Sequence, residues 1–175
     1  MFTVCSSHSI RSTKEMLTTS YLKSSLSSLK EFISPDSQIL QGNGYDGVID
    51  ILQNMRSVTY PCVIMEAGSS GQVQNIEGPL DTYTQSLWVM GHLGRGEDEA
   101  ALFESMKGLA MKVFSRLLMD IGKSPSVEGL DFQRFTYMQR YGGPNARGYE
   151  LMLTFRQNFS LQLTDDDFKP VPKTE

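Results

Sequence analysis

The feature that most constrains the fold is a strict alternation of residue types near the C-terminal end of the chain. Large apolar side chains occupy odd positions throughout this stretch: Tyr149, Leu151, Leu153, Phe155, Phe159, Leu161 and Leu163. The even positions are polar apart from Met152, and Gln157 is the one odd position without an apolar side chain. Because successive side chains of a β-strand point to opposite faces, this pattern predicts a long strand with one buried face.

Three other segments have strand character, because they are rich in β-branched and aromatic residues or alternate in polarity. They are Val58–Glu66, Thr82–Met90 and Leu130–Tyr141. The polar, glycine-bearing segment Gly68–Pro79 separates the first two and predicts a long loop, of a kind that is often functional or mobile. The segment Gly142–Gly148 predicts a turn before the C-terminal strand. The strands therefore suggest two antiparallel hairpins.

The clearest helix is predicted for Glu97–Ile121. One apolar stripe recurs along it at helical spacing, formed by Leu102, Met106, Leu109, Val113 and Leu117. The acidic run Glu97–Glu99 complements the positive end of the helix dipole, and Gly122 is suited to end the helix. A helix of this length needs an apolar surface to lie across, and the predicted sheet is the candidate.

The N-terminal part of the chain is predicted to be helical as well. Ser12 begins a sequence with the spacing of a capping box, and an apolar stripe follows as far as Ile33. Pro35 is expected to end this helix. A glycine- and asparagine-bearing break over Gln41–Gly47 precedes a short second helix around Val48–Met55.

These elements predict an α+β domain in which an antiparallel sheet built from two hairpins carries the long helix on one face, with one or two helices before it. The chain of 175 residues suits a single domain, and no internal repeat or low-complexity linker divides it. We assign residues 13–163 to this domain, residues 1–12 to a flexible N-terminus and residues 164–175 to an extended C-terminal tail.

Composition narrows the classes of function. Sixteen Lys and Arg against 20 Asp and Glu give a net charge of −4, which disfavours a strongly basic nucleic-acid binder. Two cysteines and two histidines are too few for a disulfide framework or a convincing zinc site, so we expect no metal and no cofactor. No signal peptide or membrane-spanning run is visible, so an intracellular protein with reduced thiols is expected.

No arrangement of side chains indicates catalysis. His8 lies in the loose N-terminus and His92 follows a predicted strand, and neither has a neighbour that would complete a catalytic dyad. The segment Gly91–Gly96 lacks the Lys-Ser/Thr ending of a phosphate loop. The carboxylates of Glu66 and Asp165–Asp167 fit a strand end and a solvated tail better than an acid–base pair. We therefore expect that the protein is not an enzyme.

Four arginines and Glu150 are the candidates for a protein interface. Arg134, Arg140, Arg147 and Arg156 fall on or near the predicted hairpin of the last two strands, with Arg147 in its turn. If Arg134 and Arg156 share the solvent face, they form a basic strip that an acidic partner protein could contact. The alternative is a solvated sheet face on which arginines form cross-strand charge pairs, for example with Glu150. The sequence leaves both interpretations open.

The order of elements over Thr59–Leu163 resembles that of the tail terminator, or tail completion, proteins of long-tailed bacteriophages. Those proteins have an N-terminal helix and then a strand that opens on an aromatic-proline pair, as Tyr60–Met65 does. A polar loop and a strand of alternating character follow, as in Asp81–Val89, and then an acid-started helix such as Glu97–Ile121. A closing hairpin with a Gly/Asn-rich turn ends the domain, as in Leu130–Leu163.

This resemblance implies a non-enzymatic structural protein of the virion. Such proteins form hexameric rings that cap the head-proximal end of the tail tube, stop its growth and present a surface to the head-completion proteins. The partners would be copies of the chain itself, the tail tube protein and a head-completion protein, without a membrane or a specific nucleic acid. Assembly would take place in the cytoplasm of the bacterial host. The family has no catalytic residues to carry over, and its ring contacts vary between members.

Other interpretations stay open. A head-closure protein or another connector ring would differ chiefly in the number of its subunits. A small enzyme or ligand-binding domain would need a pocket with convergent polar groups. A cytosolic adaptor of bacterial origin is the remaining alternative.

Overall fold

The computed structural model describes residues 17–54, 58–67, 70–74, 80–121, 123 and 131–158. Its helices are α1 (Thr19–Leu26), α2 (Pro35–Gln38), α3 (Gly44–Gln53) and α4 (Glu99–Asp120). Its strands are β1 (Ile39–Asn43), β2 (Cys62–Ala67), β3 (Ser70–Gln74), β4 (Leu80–His92), β5 (Asp131–Tyr141) and β6 (Ala146–Asn158). The predicted domain limits at residues 12 and 164 lie outside the described residues and stay predictions.

The six strands form one mixed sheet. Its strand order is β1-β2-β4-β6-β5, and β3 pairs with the part of β4 that extends past β2. All neighbouring strands are antiparallel except β1 and β2. The long helix α4 packs on one face, so the predicted α+β class is confirmed. The description as two hairpins is incomplete, because β4 and β6 pair along their whole length and β1 adds a parallel strand.

The alternating segment forms β6, and its odd side chains are buried as predicted. Leu151, Leu153 and Phe155 are each at most 1% exposed and belong to the core under α1 and α4. Burying a side chain of this size contributes roughly 1.5–3 kcal/mol, so this row is a main source of stability. The predicted continuation over Phe159–Leu163 lies outside the described residues.

The helix α4 begins two residues later than predicted, because its acidic residues have separate roles. Asp98 is the N-cap, and its carboxylate accepts a hydrogen bond from the backbone N–H of Ala100 at 2.9 Å. The Glu97 carboxylate accepts from the backbone N–H of Gly94 at 2.7 Å, so Glu97 belongs to the preceding turn. The predicted apolar stripe does face the core, where its buried members are Met106, Leu109, Val113 and Leu117.

The helix α1 is much shorter than the predicted N-terminal helix. Its N-cap is Thr18, whose hydroxyl accepts a backbone N–H three residues ahead at 3.1 Å. The helix ends at Leu26, where serine hydroxyls bond to backbone carbonyls and so compete with helical hydrogen bonding. Ile33, the predicted last member of the stripe, is 83% exposed. The predicted cap Ser12 and the predicted helix end at Gly122 lie outside the described residues.

The predicted break over Gln41–Gly47 is the junction of a strand and a helix. Pro35 is the first helical residue of α2, rather than only the end of the helix before it. The helix α3 starts at Gly44, where φ is +65° and any other residue would be strained. A Cβ on Gly42 would lie 2.7 Å from the backbone nitrogen of Val48, so glycine is needed where β1 approaches α3.

The predicted loop over Gly68–Pro79 contains the strand β3. This strand pairs antiparallel with Leu80–Thr84 of β4, so β2 and β3 lie end to end along the same neighbour. Between them, the Gln85 side chain donates a hydrogen bond to the backbone carbonyl of Glu66 at 2.6 Å. The polar sequence of β3 does not predict a strand, because the usual signal is a pattern of apolar residues. Backbone pairing with β4 determines its conformation instead.

The two faces of the sheet are covered unequally. The helices α1 and α4 pack on one face, which we call the helix face. The helix α3 packs on the opposite face at the β1–β2 end, where Val48 and Leu52 join a second core with Cys62, Ile64 and Trp88. The rest of that opposite face, on β4, β6 and β5, carries no covering element among the described residues. We call it the open face.

Candidate protein-interaction surface

The open face is polar and rich in hydroxyl groups. Its side chains on β4, β5 and β6 are half-buried or exposed: Thr82, Thr84, Ser86, Arg134, Thr136, Met138, Met152, Thr154 and Arg156. The hydroxyls of Thr84 and Thr154 lie 3.2 Å apart across neighbouring strands. These groups keep their hydrogen-bonding capacity at the surface, so the face suits contact with a polar partner.

Arg140 and Glu150 form a cross-strand pair at the border between the open face and α3. The Arg140 guanidinium donates from Nε at 2.7 Å and from Nη2 at 2.5 Å to the same carboxylate oxygen of Glu150. It also lies 5.3 Å from the ring centroid of Trp88, within the range of a cation–π contact. Glu150 is only 4% exposed, so Arg140 supplies the counter-charge that offsets the burial of its carboxylate. Arg140 therefore forms the cross-strand charge pair with Glu150 that was the alternative to a partner-binding role.

Arg134 and Arg156 lie on the same face, as the interpretation as a basic strip requires. Their strand positions pair with Thr154 and Thr82, which both belong to the open face. Arg156 bonds to Asp131 at 3.1 Å, and both side chains are largely exposed, so this pair is weak. Arg134 is exposed and has no ion pair with any of the described residues. Among the described charged side chains of β4, β5 and β6 on this face, Arg134 is the one outside an ion pair.

Arg147 is separate from the other three arginines. It lies in β6 rather than in the turn, and its odd position points it to the helix face. Its side chain pairs with Glu99 at the start of α4 and donates to the backbone carbonyls of Gly143 and Ala146 at 2.9 and 3.0 Å. Its guanidinium also lies 4.9 Å from the ring centroid of Tyr141. Arg147 therefore ties the β5–β6 turn to α4.

The strand β5 has an exposed edge that the sequence pattern did not indicate. Among the described residues it pairs with β6 alone, and a bulge between Phe132 and Arg134 is its one irregularity. Tyr137, Met138 and Tyr141 are 45%, 39% and 57% exposed, on both faces of the strand. Exposed apolar groups beside unpaired backbone groups are typical of protein–protein contact sites.

Phe135, Tyr137 and Tyr141 of β5 fall on one face by alternation, but alternation does not show how exposed that face is. Phe135 stacks on Phe114 of α4 with ring centroids 3.8 Å apart, and Tyr141 contacts Phe103 at 5.4 Å. Alternation shows that these rings face α4, but it does not show how far α4 covers them. The partial exposure of Tyr141 follows from its place at the end of the outer strand.

The histidines, cysteine and carboxylates that the sequence analysis weighed for chemistry either pack inside the fold or lie outside the described residues. His92 packs against the ring of Tyr60, with centroids 5.6 Å apart, and burial raises the pKa of Tyr60 to about 12. Cys62 is a free, fully buried thiol, and burial raises its pKa to about 12. His8 and Asp165–Asp167 lie outside the described residues. Within the described part of the chain, no group of acidic, His and Cys side chains is arranged to hold a metal ion.

One polar cleft lies between α1 and α4. It has a volume of about 430 Å³ and is lined by Thr18, Ser20, Tyr21, Ser24, Ser25, Arg116 and Asp120. The Asp120 carboxylate accepts from Ser25 at 2.5 Å and from Tyr21 at 3.3 Å, and it pairs with Arg116 at 3.1 Å. Burial, and then the charge of Asp120, raise the pKa of Tyr21 to about 12. These bonds fasten α1 to α4.

Comparisons with protein-family models and with curated protein sequences do not place the chain in a family. No protein-family model matches it, and no curated protein is significantly similar to it in sequence. Among the described residues, no helix is both long and apolar enough to cross a membrane.

Proposed function

We propose that the chain is a non-enzymatic assembly protein that forms a homo-oligomeric ring of the tail-terminator type. In this role it caps the head-proximal end of a phage tail tube and joins it to a head-completion protein. The observation that carries the proposal is the outer strand β5, with Tyr137, Met138 and Tyr141 exposed beside it. Such an edge is a liability in a monomer, and pairing it within a ring removes that liability.

The open face supports the same proposal. A ring subunit must offer further surface to proteins above and below it, and this face is polar, accessible and positively charged at Arg134. A surface of this kind favours specific contact with an acidic partner over burial in a core. The tail-terminator type is proposed because of the resemblance in element order, which concerns the segments that form β2, β4, α4 and the β5–β6 hairpin.

Electron microscopy of the purified chain tests the proposal through rotational symmetry. We expect six-fold rings for the unmodified protein. The double variant Tyr137→Lys with Met138→Lys should lose them, because it places charge beside the β5 edge. Ser105→Lys, on the exposed side of α4, is the matched control and should keep them. Twelve-fold rings would favour a head-side connector instead, and particles without rotational symmetry would contradict both.

A ligand-binding domain is the second candidate, and the cleft between α1 and α4 is the observation that favours it. The Arg116 Nε is buried there and has no hydrogen-bond partner among the described residues. A thermal-shift screen of small anions and sugars tests this candidate, since a ligand at 100 times its Kd stabilises by about 2.7 kcal/mol. A stabilising compound whose effect is lost in Ser20→Trp, at the cleft, would favour ligand binding. A screen with no such compound would count against it.

A further inference from the structure

We infer that the β5 edge of one copy pairs antiparallel with the β1 edge of the next copy, so that the sheets continue around the ring. The inference rests on the proposed function, because it assumes that the chain forms a cyclic ring. It adds the two surfaces that make the contact and their relative direction.

The two outer strands of the described sheet are β1 and β5. Each is hydrogen-bonded to a single neighbour, β1 to β2 and β5 to β6. Proteins usually block such edges with charged residues or proline. Ile39–Asn43 contains neither, and between Arg134 and Tyr141 the only charged residues are the two arginines at positions 134 and 140. The bulge of β5 lies near its start, between Phe132 and Arg134, so we expect pairing along its regular part, Arg134–Tyr141.

The directions of the strands fit an antiparallel contact between copies. The strand β1 is parallel to β2, β2 is antiparallel to β4, and β4 is antiparallel to β6. Because β5 is antiparallel to β6, it is also antiparallel to β1 of the same sheet. A second copy that continues the sheet with its helix face on the same side therefore brings its β1 antiparallel to β5. That arrangement is the more stable pairing geometry.

The side chains beside the two edges are complementary in charge. The helix α3 lies next to β1 on the same side of the sheet as the open face, and it carries the exposed carboxylates of Asp46 and Asp50. In the continued sheet, α3 of the next copy lies beside the bare part of β5. There the exposed Arg134 and Met138 are available for contact. The contact would bring opposite charges together and cover exposed apolar surface.

The alternative contact, β5 with β5 of a second copy, does not build a cyclic ring. It relates two copies by a two-fold axis and uses the same surface on both, so each pair is closed. Pairing β5 with β1 is a head-to-tail contact. Such a contact closes into a ring when its rotation divides a full turn into a whole number of equal steps without translation along the axis. A cyclic ring therefore requires the second kind of contact.

Cysteine cross-linking in the full chain distinguishes these contacts. Gln41→Cys marks β1 and Tyr137→Cys marks β5, because both residues are exposed and both positions face the helix side. Each variant is made with Cys5→Ser, and Cys62 stays because it is fully buried. A short bismaleimide is added to each variant alone and to an equal mixture, and the products are separated under denaturing conditions.

The inference predicts a covalent dimer of about 39 kDa in the mixture and little in either variant alone. The variant that carries both cysteines should give a ladder of larger species. A Ser105→Cys control, on the exposed side of α4, should give no ladder when combined with either edge cysteine.

The outcomes separate this inference from the proposed function. Six-fold rings without a cross-link between positions 41 and 137 would overturn the inference and leave the ring proposal standing. Cross-linking of Tyr137→Cys with itself would also overturn it, in favour of the two-fold contact. The ladder together with open filaments would support the edge contact and contradict the ring. A monomer without any cross-link would overturn both.

Discussion

Replacing Arg140 by methionine should destabilise the fold more than is usual for a side chain that is 33% exposed. The guanidinium donates to Glu150 from Nε at 2.7 Å and from Nη2 at 2.5 Å, and it also covers the ring of Trp88. The Glu150 side chain is 6% exposed, so the carboxylate would lose this counter-charge while remaining largely out of water. Methionine keeps the apolar contact with Trp88 and removes the charge, which isolates the electrostatic effect.

The expected loss is about 2 kcal/mol in the free energy of unfolding. Breaking a fully buried ion pair by removing one partner costs about 3–5 kcal/mol. Solvent reaches one side of Arg140 and would partly hydrate the isolated carboxylate, which lowers this figure. For a chain of this size, about 2 kcal/mol corresponds to a fall of about 4–8 °C in Tm.

Urea denaturation and calorimetry of four variants test this reasoning. Glu150→Gln should cost less than Arg140→Met, because the amide can be buried at lower cost than a charge. The double variant should cost less than the sum of the two single changes, with a coupling of about 1–2 kcal/mol. Arg134→Met, on the same strand without an ion pair to the described residues, is the control and should be nearly neutral. An Arg140→Met variant with a Tm within about 1 °C of the unmodified protein would refute the reasoning.

Three other predictions follow from the core, the sheet and the surface. Leu153→Asp should cost at least about 4 kcal/mol because it buries an unpaired charge, and an unchanged Tm would show that the assigned buried face of β6 is wrong. Gly148→Ala should cost about 3 kcal/mol in urea denaturation, because its Cβ would lie 2.0 Å from the backbone oxygen of Val89. The exposed α4 change Gly108→Ala, which meets nothing within 4 Å, should be neutral or stabilising. The hydrogen bond from Lys112 lowers the pKa of Glu31, so this pair adds stability above about pH 4.5 that is lost as the pH falls through the lowered pKa. Lys112→Gln should therefore lower the urea midpoint slightly at about pH 6 and hardly at about pH 3, and an equal loss at both would contradict this assignment.

The long elements were predictable because their patterns extend over many residues. The odd-position row of β6 and the stripe of α4 each repeat often enough to identify both the element and its buried face. The short elements were not predictable in this way. The strands β1 and β3 have five residues each, with the sequences ILQGN and SGQVQ, which are too short to show a repeating pattern of apolar residues. The conformation of β1 depends on pairing with β2, which lies more distant in the sequence, and that of β3 depends on pairing with β4.

The candidate surface was predictable only in part, for a similar reason. Positions 154 and 156 are both even, so alternation along β6 places Thr154 and Arg156 on one face. In the structure Arg134 lies opposite Thr154 and therefore shares that face with Arg156. The same alternation assigns Arg147 to the other face, once β6 is known to begin at Ala146 rather than after the turn. The exposure of Tyr137 and Met138 could not be predicted, because it depends on β5 being the last strand of the sheet.

The native mass of the purified chain, measured by light scattering after size exclusion at several concentrations, tests the proposed ring most directly. Six copies of a 19.6 kDa chain give about 118 kDa, and we expect this mass to persist on dilution. A mass of about 20 kDa at every concentration would contradict self-assembly through the exposed edge of β5.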